Sequence, residues 1–289
     1  MTNNNLKFLI PTGKRIWLFL LVTLLCMVVG SVLVSIISMN GITPTKIRIA
    51  TVMQDLTMFI LPAIIVAIIC TRTPAKLLMI DRKPDFTTTI LVIGTLVAAI
   101  PFMNWIIAWN NCFTLPESLS NVEQWMRLAE NNASQMTLML FGDWSIAAYI
   151  LSLSIVAILA GLSEELYFRG TLQRLIATSG VNKHSAIWIT AIIFSAVHMQ
   201  FFGFVPRMLL GAYFGYLAVW TKSLWIPIIA HTLNNALAAT ALWQSHRNGY
   251  EIINNIGTTH NQLWITALSL IVTTTLIYMT YKNNKALKE

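Results

Sequence analysis

Three short segments carry residues able to do proton chemistry, and each lies in or at the end of a long apolar run. Glu164, Glu165 and Arg169 fall in one segment, Phe194 and His198 in a second, and His231 and Asn235 in a third. On a helix, four-residue spacing puts Glu165 and Arg169 on one face, with the glutamate N-terminal, the favourable order for an ion pair. Glu164 points about 100° away, so the two carboxylates are expected to have different jobs. The same spacing puts His231 and Asn235 on a common face. A carboxylate beside an imidazole can take a proton from water, and burial favours that role. An imidazole and a side-chain amide can supply donors to a developing oxyanion. Together these are the parts needed to hydrolyse a peptide bond. Singly, each has a plainer reading: two glutamates can end a helix among headgroups, and a lone histidine on an apolar helix is more often a satisfied core residue. Their coincidence on three helices favours chemistry, because ionisable groups inside a membrane are costly and usually face an interior cavity.

The elements that must position these residues are membrane helices. Of 289 residues, 56% are hydrophobic and 10% charged, against about 25% charged in a soluble domain. A spanning helix needs roughly 20 mostly apolar residues. Eight stretches qualify, about 16–39, 52–71, 87–108, 144–163, 184–202, 206–220, 224–243 and 263–281. They predict an all-α, polytopic transmembrane bundle. The first, Ile16 to Met39, is longer than a secretory signal's apolar region and lacks a small-residue cleavage site. A retained helix is expected, with the mature chain starting near Met1. The net charge of +8 reports topology rather than a nucleic-acid partner. With the N-terminus inside, the cytoplasmic segments collect Lys7, Lys14, Arg15, Arg72, Lys76, Arg82, Lys83, Arg169, Arg174, Lys183, Lys222, Lys282, Lys285 and Lys288. Only Lys46, Arg48, Arg127, Arg207 and Arg247 fall outside, the bias of the positive-inside rule. The expectation is a multi-pass cell-membrane protein with both termini cytoplasmic, the lipid bilayer as its surroundings and no nucleic acid bound. Cys26, Cys70 and Cys112 have no paired spacing.

Counting 1.5 Å per residue from the cytoplasmic boundaries puts His198 roughly 20 Å deep and His231 roughly 10 Å, with Glu164 near the surface. Convergence therefore requires the helix 144–163 to continue past Gly161, or boundaries to move by a turn or more. The external segment 109–143 has Ser120 and Glu123 in a capping-box arrangement, with Leu119, Val122, Met126 and Ala129 at helical spacing. It predicts a short amphipathic helix on the outer membrane face. Gly211 and Gly215 permit close helix approach, expected within the bundle rather than between chains. Asp55, His184, His246 and His260 fall near predicted boundaries or loops, where solvation accounts for them. No 20–50 residue repeat is present. The chain divides into N-terminal helices with the external loop (1–143), a core carrying the motifs (144–243) and a final helix with its tail (244–289).

The three segments resemble the motifs of the CAAX-protease and bacteriocin-processing family of intramembrane peptidases, also called the Abi family. The shared pattern is a double glutamate with arginine four residues after the second, a phenylalanine four before a histidine, and a histidine four before an asparagine. Here these are Glu164, Glu165 and Arg169; Phe194 and His198; and His231 and Asn235. The resemblance extends over about 144–243. It implies a helical bundle with a membrane-embedded cavity open to the cytoplasm, acting on a peptide or protein substrate. It further implies that Glu164 activates water with help from His198, that His231 and Asn235 stabilise the oxyanion, and that Glu165 with Arg169 positions the others. Cofactor use stays open. Two histidines and a glutamate make a familiar zinc set, but the compact HExxH signature is absent and a water activated by glutamate fits the same residues. A non-catalytic bacteriocin-immunity or scaffold protein and a transporter are the competing readings. Substrate identity, prenylation of the substrate and oligomeric state are not determined by the sequence.

Overall fold

Caps and prolines, more than the apolar runs, set where the helices begin. The computed structural model describes residues 6–39, 41–249 and 255–286; Met1 and Lys288, used in the topology reading, lie outside them. Helix α1 runs Thr12–Ser38 after Pro11. Helix α2 covers Pro44–Cys70, with the Thr43 hydroxyl accepting the Lys46 N–H and Pro44 in the first turn, where no N–H is needed. Helix α3, Phe86–Asn111, begins at Asp85, which accepts the Thr88 N–H at 2.8 Å. That backbone bond, ahead of the Thr88 hydroxyl, holds the Asp85 carboxyl below its usual range. Asn283 also donates to Asp85. The rest are α4 (Ser120–Phe141), α5 (Ile146–Ala177), α6 (Lys183–Ala196), α7 (Phe204–Thr221), α8 (Trp225–Asn248) and α9 (Leu263–Ala286). Among the described residues the only strand-like pairing is an isolated bridge between Phe8 and Thr71.

Among the described residues six helices are long and apolar enough to cross a membrane: α1, α2, α3, α5, α7 with the turn before it, and α9. The protein is a polytopic helical bundle. The two other expected spans are helical but differ from these. Helix α6 has only 14 residues, and the apolar run of α8, an unbroken helix, is interrupted by the polar side chains of His231, Asn234 and Asn235. Helix α1 shows how lipid replaces a core: it buries Arg15, Phe19 and Gly30, while Leu20, Leu21, Leu24, Leu25 and Val28 face outward. Within the bundle, α3 pairs with α9, α6 with α7, α1 with α2, and α8 with α5.

Helix α5 departs most from the sequence expectation. The apolar run 144–163 stops before the glutamates, but the helix is 32 residues long and runs through them. Ser145 caps its start by accepting the Ala148 N–H. At the far end the charges are taken into the bundle, where Glu165 Oε1 pairs with Arg169 Nη1 at 2.6 Å and both side chains are fully buried. Two wide turns, Ser154–Leu159 and Leu166–Leu172, interrupt the α-helical bonding; such turns often mark functional places in helices. The depth mismatch of His231 has a second resolution. The Leu224 N–H donates to Met79 O and the Ser223 hydroxyl to Arg82 O, so a buried segment around Leu77, Leu78 and Met79 lies over the start of α8 and sets that start inside the bundle.

Helix α4 matches the expected external helix in pattern and exceeds it in length, at 22 residues. The capping box does not form: Ser120 makes no side-chain cap. The 3-10 turn Glu117–Leu119 leads straight into the helix, and Glu123 instead accepts the Leu115 N–H at 2.8 Å and two bonds from Arg127. The Leu115 N–H, followed by Arg127, holds the Glu123 carboxyl below its usual range.

Candidate active site

The site exists because two helices touch backbone to side chain. A Cβ at Gly161 would stand 2.6 Å from the Thr232 hydroxyl and 3.0 Å from the Thr232 backbone nitrogen. No residue larger than glycine permits that approach. It brings the turn of α5 bearing Glu164 and Glu165 beside the turn of α8 bearing His231. A second close contact works the same way. A Cβ at Gly211 would lie 3.0 Å from the Phe194 ring, and one at Gly215 would lie 2.6 Å from Gln173 Oε1. The two carbonyls accept from α5, Gly211 O from Arg169 Nη2 at 2.9 Å and Gly215 O from Gln173 Nε2 at 3.1 Å. Gly211 and Gly215 thus serve packing inside the bundle.

Glu165 is the hub of the buried polar network. Its Oε1 accepts from Arg169 Nη1 at 2.6 Å and from His231 Nδ1 at 2.9 Å. The ion pair read from spacing is present, and the histidine that shares it was not legible from spacing. The Arg169 guanidinium lies over the Phe194 ring at 4.5 Å, a cation–π contact strengthened by the absence of water. The Phe194 ring also meets His198 and His231 edge-on, at 5.1 and 5.7 Å between centroids, and Phe214 stacks on His231 at 5.2 Å. Phe194 thereby fixes both imidazoles and the cation that holds Glu165.

Glu164 turns the other way, as its offset of about 100° along the helix requires. Its Oε2 is 3.8 Å from His198 Nε2 and 3.8 Å from His231 Nε2, and this buried oxygen makes no hydrogen bond. The tautomers follow from the partners. His198 Nδ1 lies 2.7 Å from Phe194 O, a carbonyl that only accepts, so Nδ1 carries a proton. His231 Nδ1 faces the Glu165 carboxylate, which assigns its proton likewise. Each neutral imidazole then presents a bare Nε2 to Glu164. Distances of 3.8 Å exceed a direct hydrogen bond and suit one water between the groups.

Asn235 lies one helical turn past His231. Its Nδ2 donates to Val156 O at 3.1 Å, a carbonyl inside the first wide turn of α5, and its Oδ1 accepts from Asn234 at 3.3 Å. One of its two N–H groups is thus committed to helix α5. All seven residues of the three motifs therefore sit at the junction of α5, α6, α7 and α8. Of the others set aside in the sequence, His184 bonds Tyr216 at 2.9 Å and His246 stacks on Trp144; neither touches this junction.

Asp55 is a correction. The sequence places it at a boundary, but α2 begins at Pro44, which moves Asp55 into the middle of the helix. It is 6% exposed, and its Oδ2 is buried without a hydrogen-bond partner. The turn that follows it, Leu56–Ile60, packs on Ala160–Glu165 of α5, and its carboxyl is within electrostatic reach of Glu164. Arg207, expected outside, is also within electrostatic reach of Glu164 and His198, where Gln200 holds it through its carbonyl and side-chain oxygens. Among the described residues no group of three or more His, Cys, Asp and Glu side chains is arranged to hold a metal ion.

Comparison with known proteins picks out the same part of the chain. Residues 146–237 match the model of the type II CAAX prenyl endopeptidase Rce1-like family. That segment opens with the first residue of α5 and contains all three motifs. The chain is also 26% identical over 95 residues to the uncharacterized protein YpbD of Bacillus subtilis (strain 168). The aligned stretch is 32% of this chain and 46% of that protein, so the chain spans less than half the length of this relative. No solved structure matches. The matched segment is thus similar to CAAX-type endopeptidases, and the multi-pass membrane setting rests on the six long apolar helices among the described residues.

Proposed function

We propose that this protein is an intramembrane endopeptidase that cleaves a peptide bond with water activated by Glu164 and His198. The observation carrying this reading is the Glu164 carboxylate oxygen, buried, without a hydrogen bond, and 3.8 Å from two imidazole nitrogens. A water at that point gives one proton to Glu164 as its oxygen attacks the scissile carbonyl carbon. His198 Nε2, its ring fixed through Phe194 O, accepts from the same water and aligns it. The carbonyl electron pair moves to oxygen, and the oxyanion is met by the free N–H of Asn235 and by His231 once its Nε2 has taken up a proton, the imidazolium being stabilised by Glu165 at Nδ1. Glu165 supports that step by holding His231 Nδ1–H, as a carboxylate does for a catalytic imidazole. The intermediate collapses when the C–N bond breaks and the amine nitrogen takes the proton from Glu164.

The chemistry so derived is routed through no metal. The donor types of a zinc set are present in Glu164, His198 and His231, and on this reading they serve as base, water-aligning and oxyanion-stabilising groups instead. Chelation followed by dialysis is expected to leave the cleavage rate unchanged. A loss restored by added zinc would transfer water activation to the metal.

The cavity opens to the cytoplasm on this reading, both chain termini face the cytoplasm, and the membrane is the cell membrane. The bias of Lys and Arg toward those segments supports it. The defining test compares new protein N-termini in cells with equal amounts of the native chain or Glu164→Gln. The variant keeps the shape of the side chain and loses the base, so cleavage should fall by about 10²–10⁴-fold. Identical termini in the two samples, with the variant folded, would sink the assignment.

A further inference from the structure

Two buried carboxyl oxygens at the junction of α2 and α5 lack a hydrogen-bond partner, Asp55 Oδ2 and Glu164 Oε2. Asp55 stands in the middle of a membrane helix, 6% exposed, and the turn after it packs on the turn of α5 that carries Glu164. A carboxylate in hydrocarbon is stable only when cations or donors satisfy it. Two carboxylates within electrostatic reach in a low dielectric do not both ionise freely.

The neighbours supply no other remedy. On α5, Glu165 Oε2 is also unpartnered, but its Oε1 already meets Arg169 and His231. His198 and His231 present bare Nε2 atoms, which accept rather than donate. The Arg207 guanidinium is within electrostatic reach of Glu164 yet is held by Gln200 and shared electrostatically with Glu130. The attacking water can donate to Glu164, but Asp55 Oδ2 has no donor, and a single proton is the smallest group that supplies one.

We propose that Asp55 is a positioning residue of the site, electrostatically coupled to Glu164 so that the two buried carboxyls hold one proton between them. The inference rests on the peptidase reading for its purpose, since the pair keeps one negative charge beside the attacking water instead of two. A second charge there would oppose the negative charge that builds on the substrate carbonyl oxygen. It also explains why an aspartate is retained in the middle of a membrane helix with no cation beside it.

Infrared difference spectroscopy on the full chain reconstituted in lipid tests the pair without needing a substrate. At neutral pH the native protein should show the C=O band of a protonated carboxyl. Asp55→Asn, which imitates the protonated carboxyl in shape, should abolish the band. Glu164→Gln removes the like charge, so the remaining proton should hold less tightly and the band should vanish at a pH lower by about one unit or more. A native protein with no such band overturns the proposal. So does a band that disappears at the same pH in Glu164→Gln, because the proton would then belong to Asp55 alone. Should Asp55→Asn not fold, the native protein and Glu164→Gln decide the matter between them. Proteolysis by Glu164→Gln is scored separately: retained cleavage would sink the peptidase assignment while leaving the carboxyl pair measured.

Discussion

At the residue scale, the buried chain Arg169, Glu165 and His231 shows why paired glutamates do different work. Glu165 is spent on structure: one oxygen takes both the guanidinium and the imidazole, which leaves Glu164 to face water. Arg169 is held on its other side by Gly211 O, so its two bonds use the planar fork of a guanidinium. Arg169→Leu leaves a buried carboxylate without its cation and should cost about 3–5 kcal/mol in thermal or denaturant unfolding in lipid or detergent. Arg169→Lys keeps the charge but reaches one partner at a time, and should recover part of that loss. Equal stability of Arg169→Leu and the native chain would show that the network contributes nothing. The motif residues were legible in the sequence because polar groups stand out in apolar runs. Asp55 stands just inside the apolar span 52–71, where the sequence alone puts it at a boundary. The polar segment Lys46, Arg48 and Gln54 hid the fact that the helix had already begun at Pro44.

At the element scale, the site depends on helices passing closer than ordinary side chains allow. Gly161 faces Thr232, with 2.6 Å from a notional Cβ to the hydroxyl and 3.0 Å to a backbone nitrogen that cannot swing away. Gly161→Ala must therefore push α5 and α8 apart. Overpacking of this kind costs about 1–3 kcal/mol, and displacement of Glu164 from His231 by even about 1 Å should lower turnover on the order of 10²-fold. Gly13→Ala is the matched control, because nothing lies within 4 Å of its notional Cβ. Cleavage by Gly161→Ala at the native rate would show that the crossing does not set the geometry. Helix existence and order were readable from hydropathy. The length of α5 was not, because charge in a sequence looks like a membrane boundary until its internal partner is known. Gly161 carried no signal, since a glycine in an apolar run does not name the helix it meets.

At the scale of the whole molecule, orientation decides which side of the membrane supplies substrate, and the chain contains its own reporter. Cys112 is exposed just past the end of α3, whereas Cys70 is buried and Cys26 lies inside the α1 span. The cap of α3 at Asp85 is tied to the end of α9 by Asn283, and Thr88 accepts from Asn284, so the start of α3 and the end of the last described helix lie on one face of the bundle. With that face cytoplasmic, as the basic residues favour, Cys112 projects outward on the opposite side. A membrane-impermeant maleimide should therefore label intact cells, and Cys112→Ser should remove that label. Labelling only after permeabilisation would invert the bundle. The cavity beside Glu164 would then receive segments presented from outside, and the search for substrates would move from cytoplasmic tails to secreted and surface proteins.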